Sequence, residues 1–368
     1  MQEVKLFGQP SAVQQSVKLK LEQELIKANL DVKLLVVQDA EQFIEHGIGM
    51  LPSLQIGSSV VSFDEKEGIS TFVQRAVRMI LLNIEHGHIP QIIVPTDFSD
   101  TSKHAFAFAA GLAKRLRAII KVVHVYFPVT SSVDGIVYID PEVEKAARSK
   151  LSAFREEMET KHLQGTGPIP FVQELFLVGH VSKELEKIAS RSKSRMIVMG
   201  TVGEGDTFKK FFGSVSVAVA THASCPVFVI PPEGDYRPFR RVLYGSEDPV
   251  LDERVVSAIR RYTGSEDSAL DVVHLHEGKT SFVEEGAEVL HEDEEQRIKE
   301  VILFKRDLIG SLIEYAERED IDLIVMERKN RGIWGNLFHQ SATRKMTIRT
   351  KLPLLVLHEK DLEELPAP

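Results

Sequence analysis

Apolar residues in this chain fall into two rhythms. Short, nearly continuous runs recur at Gln91–Pro95, Lys121–Val125, Met196–Met199, Val227–Ile230, Arg241–Tyr244, Asp271–Leu275, Leu323–Met326 and Leu354–Leu357. Such runs are how strands covered on both faces read. Between them the spacing becomes helical: Ala105, Phe108, Ala109, Leu112 and Leu116 fall on one face of a helix that starts after Ser99. Strands alternating with helices predict an α/β fold with largely parallel sheets. The charged run Glu284–Glu300 is expected to be a solvated helix face, and residues 360–368 an acidic tail.

The strand runs also repeat. QIIVPTDFS from Gln91 aligns with RVLYGSEDP from Arg241, and VVHVY from Val122 with VVHLH from Val272. RMIVMG from Arg195 aligns with DLIVME from Asp322, and SCPVFVIP from Ser224 with KLPLLVLH from Lys351. The order is the same each time, so residues 89–232 and 238–359 read as two copies of one five-strand unit. The Pro- and Gly-bearing stretch Pro231–Pro238 joins them. Residues 1–84 match neither copy. They read strand, helix Ser11–Ala28, strand Val32–Val37, short helix Ala40–His46, two short strands and helix Ile69–Ile84.

One turn in the first copy carries candidate chemistry. A buried-type strand runs into Met199 and Gly200, Gly203 follows, then Gly213 and Ser214, and an apolar helix pattern begins at Val215. Glycines let a backbone approach a ligand closely. Free N–H groups at the start of the next helix can hold phosphate oxygens. Spacing alone fits a purely structural strand-to-helix turn equally well. The Gly-Lys-Ser/Thr of a Walker loop is missing from this turn. Lys209 and Lys210 in the loop could neutralise phosphate charge, and read first as a solvated loop tip.

The pattern Gly-x2-Gly-x9-Gly-Ser after Met199 resembles the ATP-binding signature of the universal stress protein family. Val94-Pro95-Thr96-Asp97-Phe98-Ser99, His124-Val125 and Cys225-Pro226-Val227 match that family too. The resemblance covers 89–232 fully and 238–359 in part. It implies five-stranded parallel α/β domains binding ATP, or ADP or AMP, with or without Mg, at the carboxyl ends of the strands. By the same resemblance, Pro95, Thr96 and Asp97 would meet the adenine or ribose end. Val125 and Met199 would line the adenine slot, and Gly200, Gly203, Gly213, Ser214 and Val215 would wrap the ribose and phosphates. Family domains pair through their last strands. The two copies are therefore expected to pair with each other, with homodimerisation of whole chains left open.

In the second copy the cradle positions become Glu327, Asn330, Gln340 and Ser341, so all three glycines are lost. Glu247 replaces Asp97 and Gly245 replaces Pro95. A carboxylate at Glu327 facing the phosphates would repel them, and no matching nucleotide site is expected there. Arg328, Lys329 and Arg331 read as exposed loop charge. The element order of residues 1–84, with the turn Met50-Leu51-Pro52-Ser53-Leu54, resembles the thioredoxin-like fold. Gly8-Gln9-Pro10-Ser11 stands where that fold carries Cys-x-x-Cys, and a redox role needs a thiolate, so a docking or scaffolding role is expected.

Composition narrows the rest. Net charge is −9, which argues against non-specific nucleic-acid binding. The single cysteine, Cys225, forbids an internal disulfide and reads as a buried small hydrophobe. The start of the chain lacks a signal-peptide pattern, and no run reaches the roughly 20 apolar residues of a membrane span, so a cytoplasmic protein is expected. His86, His88, His274 and His276 do not complete a recognisable zinc set. No nucleophile elbow, paired metal carboxylates or arginine finger stands out. The sequence therefore reads as a nucleotide-dependent regulator with an unidentified protein partner. A weak ATPase or autophosphorylating enzyme using Asp97 and Ser214 is one alternative, and a nucleotide-free scaffold is another.

Overall fold

Strand β1 (Gln2–Phe7) leads into helix α1 (Ala12–Lys27) through a turn that closes on itself. Ser11 caps the helix by accepting the Gln14 N–H, and the buried Gln14 amide donates back to Gly8 O at 2.8 Å. Then follow β2 (Val32–Val37), α2 (Ala40–Glu45), β3 (Ser53–Ile56), β4 (Ser59–Ser62) and α3 (Gly68–His86). The sheet order is β2-β1-β3-β4, with β1 and β2 parallel and β3 antiparallel to both β1 and β4. Val4, Leu6, Leu54 and Ile56 alternate inward along the strands, where Val17, Leu21, Phe72 and Ala76 are also buried. The Leu51–Pro52 peptide is cis.

This computed structural model describes the chain apart from residues 1, 47, 49–50, 58, 64–67, 87–89, 128–140, 165–169, 191–194, 202–213, 233, 247, 249, 265–266, 278–285, 306–307, 329–350 and 363–368. It divides into one unit ending at Pro90 and another spanning Gln91–Leu365.

The second unit is built on an eleven-stranded sheet. Its first half contains β5 (Gln91–Pro95), α4 (Asp100–Leu116), β6 (Ile119–Tyr126), α5 (Pro141–His162), β7 (Val172–Val178), α6 (Val181–Ala189), β8 (Arg195–Gly200), α7 (Ser214–His222) and β9 (Val227–Ile230). Its second half contains β10 (Arg241–Ser246), α8 (Glu253–Thr263), β11 (Ala269–Glu277), β12 (Gly286–Asp293), β13 (Ile298–Lys305), α9 (Leu308–Arg318), β14 (Leu323–Arg328), β15 (Leu354–His358) and a short 3-10 turn, Glu359–Leu362. Across the sheet the order is β12-β13-β11-β10-β14-β15-β9-β8-β5-β6-β7.

Each half thus has a parallel five-strand core whose first strand lies between its second and fourth. Registers correspond as well. Gln91 pairs with Ile119 as Arg241 pairs with Ala269, and Gly200 pairs with Ile230 as Glu327 pairs with Leu357. The halves meet where β9 and β15 run antiparallel, Leu355 opposite Phe228. Both faces of the sheet are covered, and one apolar cluster runs through both halves, including Phe108, Phe228, Phe239, Val242 and Leu355.

The run Glu284–Glu300 departs from expectation. Its described part is strand β12, a turn at Glu294–Arg297 and the start of β13, antiparallel to β12, in place of a helix. Arg297 takes the left-handed φ of 54° that the tight turn needs, and Asp293 accepts the Gln296 N–H at 2.9 Å. Period-two burial at Val301 and Leu303 outweighs the helix propensity of the glutamates.

Candidate functional site

In a sheet of this order the crevice opens at the carboxyl ends of the strands, where neighbouring crossovers diverge. In the first half that point lies between β5 and β8. Pro95, half-buried, ends β5, and Gly200 ends β8 beside it. Val125 on β6 and Met199 on β8 flank the point and are 9% and 5% exposed, in the cluster that packs against α6 and α7. Ser214 and Val215 open α7, with Val215 37% exposed. Seven of the expected residues, Pro95, Thr96, Asp97, Val125, Met199, Gly200 and Val215, thus occupy strand ends or the helix start around one crevice, joined by Ser214 at the first position of α7. Gly203 and Gly213 lie outside the described residues.

The β5–α4 turn is held by its own hydroxyls. The buried Thr96 Oγ1 accepts the Phe98 N–H at 2.9 Å and lies 2.9 Å from Ser102 Oγ. Asp97 Oδ1 accepts both the N–H and the hydroxyl of Ser99. Ser99 caps α4. Phe98 sits at φ 69°, a strained conformation for a bulky residue. Its ring is held by His124 at 4.4 Å between centroids, by Phe154 at 5.9 Å, and by Lys150, whose ammonium lies 4.6 Å from the ring centre.

His124 also pins the turn, since its Nδ1 lies 2.8 Å from Thr96 O and must carry the proton to bond a carbonyl. Burial holds its pKa below the ordinary value, opposed by the Thr96 bond and reinforced by Lys150. On the other side, Ser216 in the first turn of α7 donates to Gly200 O at 2.9 Å and Thr201 O at 3.2 Å. A Cβ on Gly200 would stand 3.0 Å from Thr101 O. This glycine therefore lets the end of β8 touch the start of α4.

The equivalent point in the second half is built differently. Glu327 replaces Gly200, yet its carboxylate is only 7% exposed and accepts the Tyr244 hydroxyl at 3.1 Å. The expectation that Glu327 faces outward toward a phosphate is corrected: the side chain turns into the core. Burial first, and Glu327 second, push the Tyr244 pKa up. Helix α8 begins at Glu253, capped by Asp252, whereas the register equivalent of Asp100 is Val250. His274, the counterpart of His124, is 2% exposed and bonds Asp248 O at 2.6 Å and Glu300 at 3.0 Å. Glu247, Asn330, Gln340 and Ser341 lie outside the described residues, as do Lys329, Arg331 and the loop pair Lys209 and Lys210. Among the described residues no cluster of metal-ligating side chains forms, and no helix is long and apolar enough to cross a membrane.

The model of the universal stress protein family matches residues 88–231. A universal stress protein of Thermus aquaticus is 32% identical over 139 residues, which make up 96% of that protein and 38% of this chain. This chain belongs to the universal stress protein family. A universal stress protein of Methanocaldococcus jannaschii is 28% identical over 170 residues, 94% of its length and 43% of this chain. Both relatives are matched almost whole, so the family domain accounts for only part of the molecule. A solved universal stress protein from Archaeoglobus fulgidus overlays 73% of this chain and 96% of its own, with a TM-score of 0.51 and 18% identity, a likeness of fold.

Sequence reasoning found the ends of the strands but missed what braces them. Phe98 stood inside the family motif with no sign that its backbone is left-handed. Ser216 stood just past the signature, and its helix position, two after Ser214, was the available signal. The role of Tyr244 could have been read from the repeat: it replaces Val94 in the half where Glu327 replaces Gly200.

Proposed function

We propose that the chain is a tandem universal stress protein that binds ATP, or ADP or AMP, in its first domain, residues 89–232. Occupancy there would set how the molecule presents itself to a protein partner, in the cytoplasm. The second domain, residues 238–359, is its structural companion, paired through β9 and β15, and takes no nucleotide of this kind. Residues 1–84 act as a thioredoxin-like docking domain without redox cysteines. That last reading is supported by the element order and by the Gln14-closed turn where thiols would stand.

A single contrast carries the nucleotide reading. At one register position the first half has Gly200, with no side chain, and the second has a buried glutamate. Val125 and Met199 supply apolar walls for a purine. Backbone N–H groups opening α7 supply donors for phosphate oxygens. Gly203, Gly213 and Ser214 would complete the cradle. Mg would arrive with the nucleotide, because the Asp97 carboxylate is engaged by Ser99 and no acidic cluster stands ready among the described residues. The same engagement of Asp97 weighs against a rapid enzyme, since a general base needs reach to its proton.

The test is titration of ATP, ADP and AMP into the wild type and Gly213→Asp, with phosphate release followed on the same samples. Binding to the wild type that Gly213→Asp abolishes, with no release above background, is the expected result. No binding at millimolar ATP would end the proposal. Steady release that needs Asp97 would make the protein an enzyme instead.

A further inference from the structure

We propose that His358, from the second half, is a positioning residue for the nucleotide cradle of the first half. The proposal rests on the nucleotide reading above and concerns helix α7, whose start forms one wall of the cradle. A helix ends with carbonyls that have no donor within it. In α7 these are the carbonyls of Val219, Ala220, Thr221 and His222, and Val219 O is served locally by the Ala223 N–H at 2.8 Å. Ala220 O is met from across the molecule, by His358 Nε2 at 3.2 Å. With a carbonyl as partner, that nitrogen is the donor.

The histidine is itself fixed. It closes β15, is 6% exposed, and its Nδ1 lies 3.3 Å from Asp361 Oδ2, which also accepts the His358 N–H at 2.7 Å. Asp361 is equally buried, on the 3-10 turn that packs on β15 and α8. The other end of α7 is tied to the crevice, through Ser216 to Gly200 O and Thr201 O. A continuous line of contacts therefore runs from Asp361 and His358 through Ala220 and α7 to the end of β8. By register the first-half counterpart of His358 is Pro231, which has no side-chain donor. The half that lost its cradle thus braces the one that kept it.

Two variants of the full chain separate this from simple packing. His358→Gln places an amide N–H where Nε2 was and keeps the Ala220 bond. His358→Asn places one where Nδ1 was, keeping the Asp361 contact and dropping the Ala220 bond. Hydrogen exchange across α7 and ATP dissociation constants are measured on all three proteins. His358→Asn is expected to speed α7 exchange and weaken ATP binding about 2- to 10-fold, the range for one net hydrogen bond. His358→Gln should stay near wild type in both. Wild-type behaviour of both variants, or equal impairment of both, would overturn the proposal. Faster exchange in His358→Asn with unchanged affinity would leave a helix cap with no role in binding, and overturn it too. A wild type that binds no ATP would instead sink the nucleotide reading and the positioning role with it, while exchange would still report whether the cap exists.

Discussion

Gly200 sits where the end of β8 meets the first turn of α4, and its neighbour there is backbone. An added methyl would stand 3.0 Å from Thr101 O and 3.2 Å from Thr101 C, so the helix would have to shift by a few tenths of an ångström. Gly200→Ala is expected to cost about 1–3 kcal/mol, the usual penalty of overpacking, read as a lower urea midpoint. Unchanged stability would mean that the contact is slack. His124 gives a prediction of sign. Its folded pKa lies below the ordinary 6.5, so the unfolded chain takes up the proton first as pH falls. Its contribution is therefore present above about pH 6.5 and lost as pH falls through the folded value. His124→Asn keeps a donor for Thr96 O and removes the titration. The stability of wild type minus variant should be level above neutrality and decline in acid. A difference that grew in acid would reverse the assignment. The positions of Gly200, Val125 and Met199 near their strand ends were legible because each is a residue type in a spacing. The left-handed Phe98 and the inward turn of Glu327 were not, because they depend on neighbours supplied by other strands and helices.

Among the elements, the parallel strands were readable from their continuous apolar runs, and their equivalence from the repeat. The β12–β13 hairpin was hidden by composition, since a glutamate-rich run reads as a solvated helix face whatever the backbone does. Helix α8 teaches something similar. It starts at Glu253, three residues later than the register equivalent of Asp100, and nothing in its sequence announced the buried Tyr244–Glu327 bond. Tyr244→Phe removes a donor from a buried carboxylate and should destabilise by about 1–3 kcal/mol in chemical unfolding. A neutral substitution would show that Glu327's other contacts suffice. The linker between the halves is also packed: a Cβ on Gly111 of α4 would fall 2.1 Å from the Tyr236 ring, which itself stacks edge-on against Phe108 at 5.4 Å. Gly111→Ala should displace that ring. The expected reading is a Tyr236 that becomes more accessible to nitration, and a melting temperature lowered by roughly 2–4 °C per kcal/mol lost.

At the scale of the molecule, two halves share strand order, register and a continuous core, yet diverge at the register position of Gly200. One keeps a glycine there; the other buries a carboxylate. The proposed function requires an asymmetric molecule with one nucleotide site per chain. Sequence alone suggested this through lost glycines, and the buried Tyr244–Glu327 pair adds a physical reason: a hydrogen-bonded carboxylate stands at the register position of Gly200. The most direct measurement is the stoichiometry of ATP binding to the full chain by calorimetry. The predicted result is one ATP per chain, falling to none in Gly213→Asp. Two sites per chain, or one site that survives Gly213→Asp, would contradict the account.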